Sequence, residues 1–245
     1  MGSVIGASEL LDIVEANANA AWRASVEGLA RQEHASGQAA HCDEYNAAMK
    51  VCREGGEWRC NILLLQRARR RGVAPLVDLY AQAIGACEDA YAVDESSKLY
   101  ALGVQDNVFS HWHDKEPFSL DLHGFSQACA TAAVRYVLQQ ELGNYLPSDL
   151  KIITGRGLHS HDGVGRLRER IETLLSEELD PPLPYERSAK LVCDQSGCDW
   201  VTNDGCLVVQ VHHLFKWLVD SKPYETYYVS IPSGGAAGGL VAEAA

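Results

Sequence analysis

Two short stretches hold the residue types that could do chemistry. Ser119-Leu120-Asp121-Leu122-His123-Gly124 sets a carboxylate and an imidazole two positions apart, and Ile153-Thr154-Gly155-Arg156-Gly157-Leu158-His159-Ser160 follows with a guanidinium between two glycines. Residues i and i+2 of a strand stand on one face. Leu120 and Leu122 are therefore expected in a core, with Asp121 and His123 together on the opposite side. An imidazole can take a proton from a ribose 2′-hydroxyl and return one to a leaving oxygen. Asp121 would orient that ring or polarise the hydroxyl. Arg156 and the amides around Gly155 and Gly157 would offset the added charge of a pentacoordinate phosphate. The chemistry indicated is cutting or gripping a nucleic-acid backbone. His159 is a second candidate acid, and His161 a weaker one. No metal is required by this scheme, because the motifs lack two well-placed carboxylates; hydrolysis assisted by a divalent ion such as Mg through Asp121 is the alternative.

Taken singly, each piece has an ordinary reading. Alternating polar residues are commonly a solvated strand face, and many strand-to-helix turns need glycine. Their order on predicted elements is what favours a site. Leu150 to Ile153 reads as an apolar strand running into the glycine loop, and free amides in such a loop suit an anion. Between the two motifs Ser126 is a natural N-cap, and Ala130, Ala133, Val134, Val137, Leu138 and Leu142 form one apolar helical stripe ending at Gly143. Val164, Leu167, Ile171, Leu174 and Leu175 make a second stripe, stopped before Pro181-Pro182. Lys190 to Cys193 and Cys206 to Gln210 read as strands, the latter after an Asn203-Asp204-Gly205 turn signal. An amphipathic helix with Leu214, Phe215 and Leu218 follows. The alternation predicts a two-layer α/β sheet domain whose first two strands are parallel.

Composition narrows the classes. At 245 residues and 47% hydrophobic, the chain can bury a real core. No apolar run is long enough to span a bilayer. Met1 to Ala21 carries Glu9, Asp12 and Glu15 without Lys or Arg, the reverse of a transit peptide, and the position required for myristoylation lacks Ser or Thr. Eight irregularly spaced cysteines read as reduced, with Cys52, Cys87 and Cys129 at buried helix positions. Cys193, Cys198, Cys206, His212 and His213 fit no common zinc spacing. The net charge of −12 opposes phosphate binding overall, so local patches must supply it. Lys151, Arg156, Arg166, Arg168 and Arg170 form one; Arg67, Arg69, Arg70 and Arg71 read as a solvated helix face.

The first half repeats. Tyr45 and Tyr80, Cys52 and Cys87, and Gly37 and Gly72 are each 35 residues apart. The best copy, 42–76, reads as a helix over Asp43 to Arg53, a Gly55-Gly56 turn, a helix over Trp58 to Arg71, and a Gly72 to Pro75 exit. A helix pair is too thin to bury its own apolar face, so neighbours must stack. A further copy from Val77 is expected to fall about four residues short, closing at Gly103-Val104. Leu10 to Gln38 reads as a degraded earlier copy. Val104 to Pro117, with His111-Trp112-His113-Asp114, reads as a linker or surface loop.

Tyr45-Asn46-Ala47-Ala48-Met49, Gly55-Gly56-Glu57-Trp58 and Arg71-Gly72-Val73-Ala74-Pro75 resemble the pentatricopeptide repeat. In that family a first-helix residue and the residue closing the repeat read one base. Those positions would be Asn46 and Leu76, with Ala81 leading the next copy. Leu76 and Ala81 cannot hydrogen-bond a base, so a scaffold that packs on the second domain, or docks a protein partner, is the expected role. Leu120-Asp121-Leu122-His123 and Thr154-Gly155-Arg156-Gly157 resemble the two signatures of the small MutS-related (Smr) domain, over roughly Phe118 to Val219. Together the two halves resemble PPR-SMR proteins. That resemblance implies RNA, or alternatively DNA, as partner, endonuclease activity, and a chloroplast or mitochondrial location. It carries Asp121 and His123 over as catalytic, with Thr154, Gly155, Arg156, Gly157 and His159 binding phosphate. The alternative is a non-catalytic nucleic-acid-binding or scaffolding module. The overall expectation is an α+β chain: helical hairpin repeats over 1–107, a linker over 108–117, a β-α-β-α-β-β Smr sandwich over 118–220, and a largely disordered tail over 221–245.

Overall fold

The computed structural model describes residues 20–142, 146–155, 165–194 and 197–221, with the backbone alone at 20, 190–194 and 197–204. The expectations for 1–19 and 222–245 lie outside these residues. The chain divides into two compact units, Met1–Ser110 and His111–Ala245.

The first unit is helical throughout its described residues: α1 (Ala20–Ser36), α2 (Cys42–Glu54), α3 (Trp58–Arg70), α4 (Val77–Asp89) and α5 (Val93–Gln105). Helix α4 starts 35 residues after α2, and α5 starts 35 after α3. The copy beginning at Val77 is therefore complete, which corrects the expectation of a deletion. Glycine matching had aligned Gly72 with Gly103. The structural equivalent of Gly72 is Asn107: Gly37, Gly72 and Asn107 hold φ of +67°, +70° and +57° at the three helix exits. Asparagine tolerates the left-handed region better than most residues, so it can replace glycine there. Turn bonds repeat too, with the Glu57 amide donating to the Cys52 carbonyl and the Ala92 amide to that of Cys87, both at 2.8 Å. Tyr45, Met49, Cys52, Leu64, Leu65, Leu79, Tyr80, Ile84 and Cys87 are fully buried between stacked helices.

The expected solvated arginine face is instead engaged. Buried Glu33 accepts from Arg67 Nε at 2.7 Å, the Tyr45 hydroxyl at 2.7 Å and the Ala40 amide at 3.0 Å, with Arg71 Nε at 3.2 Å. Arg69 grips Asp106 at 2.6 and 2.8 Å. Arg67 and Arg71 thus tie the end of α3 to α1, and Arg69 ties α3 to the exit of α5, consistent with charges that are buried only when paired.

The second unit holds β1 (Ser119–Asp121), α6 (Gln127–Tyr136, continued by a π turn, Val137–Glu141), β2 (Leu150–Ile153), α7 (Arg166–Thr173, continued by a π turn, Leu174–Glu178), β3 (Glu186–Asp194), β4 (Gly197–Val209) and α8 (Val211–Ser221). The whole described chain is α+β, with eight helices and a mixed four-stranded sheet of order β1-β2-β4-β3. β1 and β2 are parallel, as expected, while β4 runs antiparallel to both β2 and β3. Ser126 caps α6, its hydroxyl accepting from the Cys129 amide at 3.2 Å. The α6 stripe is buried throughout, together with Leu120, Leu122, Leu150, Ile152, Leu207 and Val209 from alternate strand positions. Each such leucine contributes about 1.5–3 kcal/mol on burial.

Three details differ from expectation. Asn203-Asp204-Gly205 does not reverse the chain; it lies inside β4, where register slips from Arg187↔Leu207 to Ala189↔Thr202. A residue run suited to irregular backbone is used as a bulge, which re-aims a strand without ending it. In α8, Leu214, Trp217 and Leu218 are buried while Phe215 stays 36% exposed, as a helix with apolar positions at i, i+3 and i+4 requires. Finally, within 108–117, His113 donates its amide to the Ser119 carbonyl at 2.8 Å and Trp112 bridges antiparallel to Leu120. Residues 111–113 thus form a short strap along the outer edge of β1.

Candidate nuclease site

Asp121 ends β1, and His123 follows two residues later, where the chain leaves the sheet before α6. Their neighbours Leu120 and Leu122 are wholly buried, so the alternation carries both polar side chains to the side away from that core. Three main-chain bonds fix the turn: the Asp121 amide donates to His111 C=O at 2.7 Å, the Leu122 amide to Ile153 C=O at 2.9 Å, and the Phe125 amide to Leu122 C=O at 2.9 Å. Asp121 Oδ1 accepts from the His123 amide at 3.3 Å and also meets His123 Nδ1. Because a carboxylate accepts, this contact places the ring hydrogen on Nδ1 and leaves Nε2 as the basic nitrogen. The Asp121 side chain is 23% exposed and that of His123 66%. The imidazole is open to a large substrate while its partner is sheltered.

Thr154 and Gly155 follow β2 directly, beside this pair. Gly155 has φ +74°, and its α-carbon hydrogen faces the His123 Cβ closely enough that a methyl group would touch it. Both amides, of Thr154 at 2.9 Å and of Gly155 at 3.2 Å, donate to the Gly205 carbonyl in the β4 bulge. The Gly155 amide is thus committed to the sheet, so amide donors for an anion would have to come from farther along the loop. The Thr154 hydroxyl has no hydrogen-bond partner among the described residues, although the residue is only 4% exposed. Arg156, Gly157, Leu158, His159, Ser160 and His161 lie outside the described residues. The structure therefore brings Asp121, His123, Thr154 and Gly155 together.

Elsewhere in the cationic patch, Lys151 stands 3.3 Å from Glu116, and Arg170 is bonded to Glu178 at 2.6 Å. Burial pushes the Cys206 thiol up, which disfavours it as a nucleophile. Among the described residues no group of three or more His, Cys, Asp or Glu could hold a metal ion. The strap residue His111, whose carbonyl holds Asp121, was not legible as part of the site: its segment shows no apolar alternation.

Residues 120–211 match the family model of the Smr domain. The match opens on Leu120 and spans both motifs. Smr domains are known in general for nucleic-acid binding and nuclease activity. No curated protein and no solved structure matches the chain. Among the described residues no helix is long and apolar enough to cross a membrane.

Proposed function

We propose that this chain is an RNA endonuclease whose Smr domain cleaves the phosphodiester backbone by acid–base catalysis. The observation that carries this reading is the oriented pair: Asp121 engages Nδ1 of an exposed His123, freeing Nε2 for substrate. Nε2 takes the 2′-hydroxyl proton, O2′ attacks the adjacent phosphorus, and the P–O5′ bond breaks. The leaving oxygen receives a proton from the imidazolium or from His159. The products are a 2′,3′-cyclic phosphate and a 5′-hydroxyl. Thr154 and Arg156, with the amides around Gly157, hold the phosphate oxygens.

Helix pairs repeating every 35 residues support reading the first unit as pentatricopeptide-like; the PPR-SMR arrangement and an organelle location belong to the same proposal and rest on the sequence resemblance alone. There the repeats act as a scaffold or protein-docking module. A divalent ion such as Mg, held by Asp121, is the variant of the mechanism that a chelator would reveal.

The test is single-turnover cleavage of structured and single-stranded RNA, with and without chelator, by wild type and His123→Ala. Cleavage lost in a folded His123→Ala protein, with a cyclic phosphate on the product and no cleavage at a 2′-deoxy position, supports the reading. Equal cleavage of DNA would move the substrate class. RNA binding without cleavage, weakened by Arg156→Ala with a shallower salt slope, would leave the non-catalytic module instead.

A further inference from the structure

Glu141 takes no part in the chemistry above, yet it is the most heavily engaged carboxylate near the strap. It ends the π turn after α6, and one carboxylate oxygen accepts from His111 Nε2 at 3.0 Å and Trp112 Nε1 at 2.8 Å. The Tyr136 hydroxyl bonds to the same carboxylate, and its ring stands edge-on to His111 with centroids 5.9 Å apart. Burial raises the Glu141 carboxyl, but hydrogen bonds from His111, Trp112 and Tyr136 outweigh it and hold the group below the usual carboxylate range. The His111 side chain is 3% exposed. Burying an imidazole against a charged partner costs desolvation free energy, and the best-attested use of such a pair is to specify one arrangement.

What it specifies is the line of the strap. The two residues whose side chains Glu141 grips run along β1 with their backbone. His111 C=O is the acceptor for the Asp121 amide at 2.7 Å, and Trp112 bridges Leu120. From Asp121 the chain of bonds continues to the amide and ring of His123.

We propose that Glu141 is a positioning residue: by gripping His111 and Trp112 it pins the strap to β1, fixes Asp121, and through Asp121 sets the tautomer and direction of the His123 ring. The catalytic half of this statement rests on the nuclease reading above; the tautomer half rests on geometry alone. Proton transfer tolerates little misplacement, an error of about 1 Å costing on the order of a hundredfold.

The experiment pairs Glu141→Ala with Glu141→Gln, the latter keeping one acceptor oxygen. Imidazole 15N spectra of the full chain report which His123 nitrogen carries hydrogen, without need of activity. Wild type is expected to show hydrogen on Nδ1, Glu141→Ala a mixture of tautomers, and Glu141→Gln an intermediate pattern. Single-turnover cleavage should fall about tenfold or more in Glu141→Ala, with RNA affinity kept within about twofold and a smaller loss in Glu141→Gln. Should Glu141→Ala fail to fold, Trp112→Phe removes one donor while keeping the ring stacked on Phe118, and the same partial shift is expected. An unchanged His123 spectrum in folded Glu141→Ala overturns the proposal, whatever the protein cleaves. An altered spectrum in a protein whose wild type cuts no RNA upholds the positioning role and sinks the nuclease reading instead.

Discussion

A Cβ at position 155 would lie 3.4 Å from the Cβ of His123, and Gly155 holds φ of +74°. The distance is an ordinary van der Waals contact, so the backbone rather than the space constrains this residue. The left-handed backbone costs a side-chain-bearing residue about 1–2 kcal/mol. Gly155→Ala should lose that much stability in urea denaturation. An unchanged denaturation midpoint would show that the loop relaxes to another backbone at no cost.

Thr154 offers the cleaner separation of stability from function. Its buried hydroxyl has no partner among the described residues, and an unsatisfied buried polar group costs about 1–3 kcal/mol. Thr154→Val, of nearly equal shape, should therefore be as stable as wild type or up to about 1 kcal/mol more so, while binding RNA more weakly. Unchanged RNA affinity would remove the hydroxyl from the phosphate site.

Glu33 makes the first unit acid-sensitive. Burial raises its carboxyl, but bonds from the Ala40 amide, Tyr45 and Arg67 outweigh burial and bring it below its ordinary value of 4.5. A depressed folded value means that the stabilisation is complete above the ordinary value and is lost as pH falls through the folded one. The stability gap between wild type and Glu33→Gln should be widest near neutrality and close as pH falls through the lowered folded value of Glu33. Arg67→Met, which strips the main cation from a buried carboxylate, should cost about 3 kcal/mol at neutral pH. Denaturant titrations at several pH values check both.

Tyr91 is 90% exposed and holds φ of +55°, in the place where the preceding repeat has Gly56 at +76°. Little packing offsets that backbone, so Tyr91→Gly should raise stability by about 1 kcal/mol. A drop in melting temperature would mean that the tyrosine makes contacts worth more than its strain.

How much of this could be read beforehand depended on whether a local pattern had a rival. Leu120 and Leu122 buried, Ser126 capping and a parallel β1–β2 pair follow from alternation, capping chemistry and connection length, whereas alternation put Asp121 and His123 on one face and left an ordinary solvated face as the rival to their pairing. The second repeat was misjudged because Asn107 does the work of a glycine, and matching by residue type slid to Gly103. Asn203-Asp204-Gly205 looked like a hairpin turn because the same residues serve turns and bulges; only the register across β3 and β4 separates them. The strap was hidden because His111-Trp112-His113 has no apolar rhythm, and its grip on Glu141 joins residues 30 positions apart. The engagement of the Gly155 amide by Gly205 is likewise a tertiary fact that no local spacing encodes.

The short strap has a consequence for how this molecule could meet others. A sheet ordered β1-β2-β4-β3 has two rims, and unpaired rims invite neighbouring chains to zip on. With 111–113 lying along the β1 side, β3 is, among the described residues, the rim with no strand beside it. A strand added there would join the flank of the sheet farthest from Asp121.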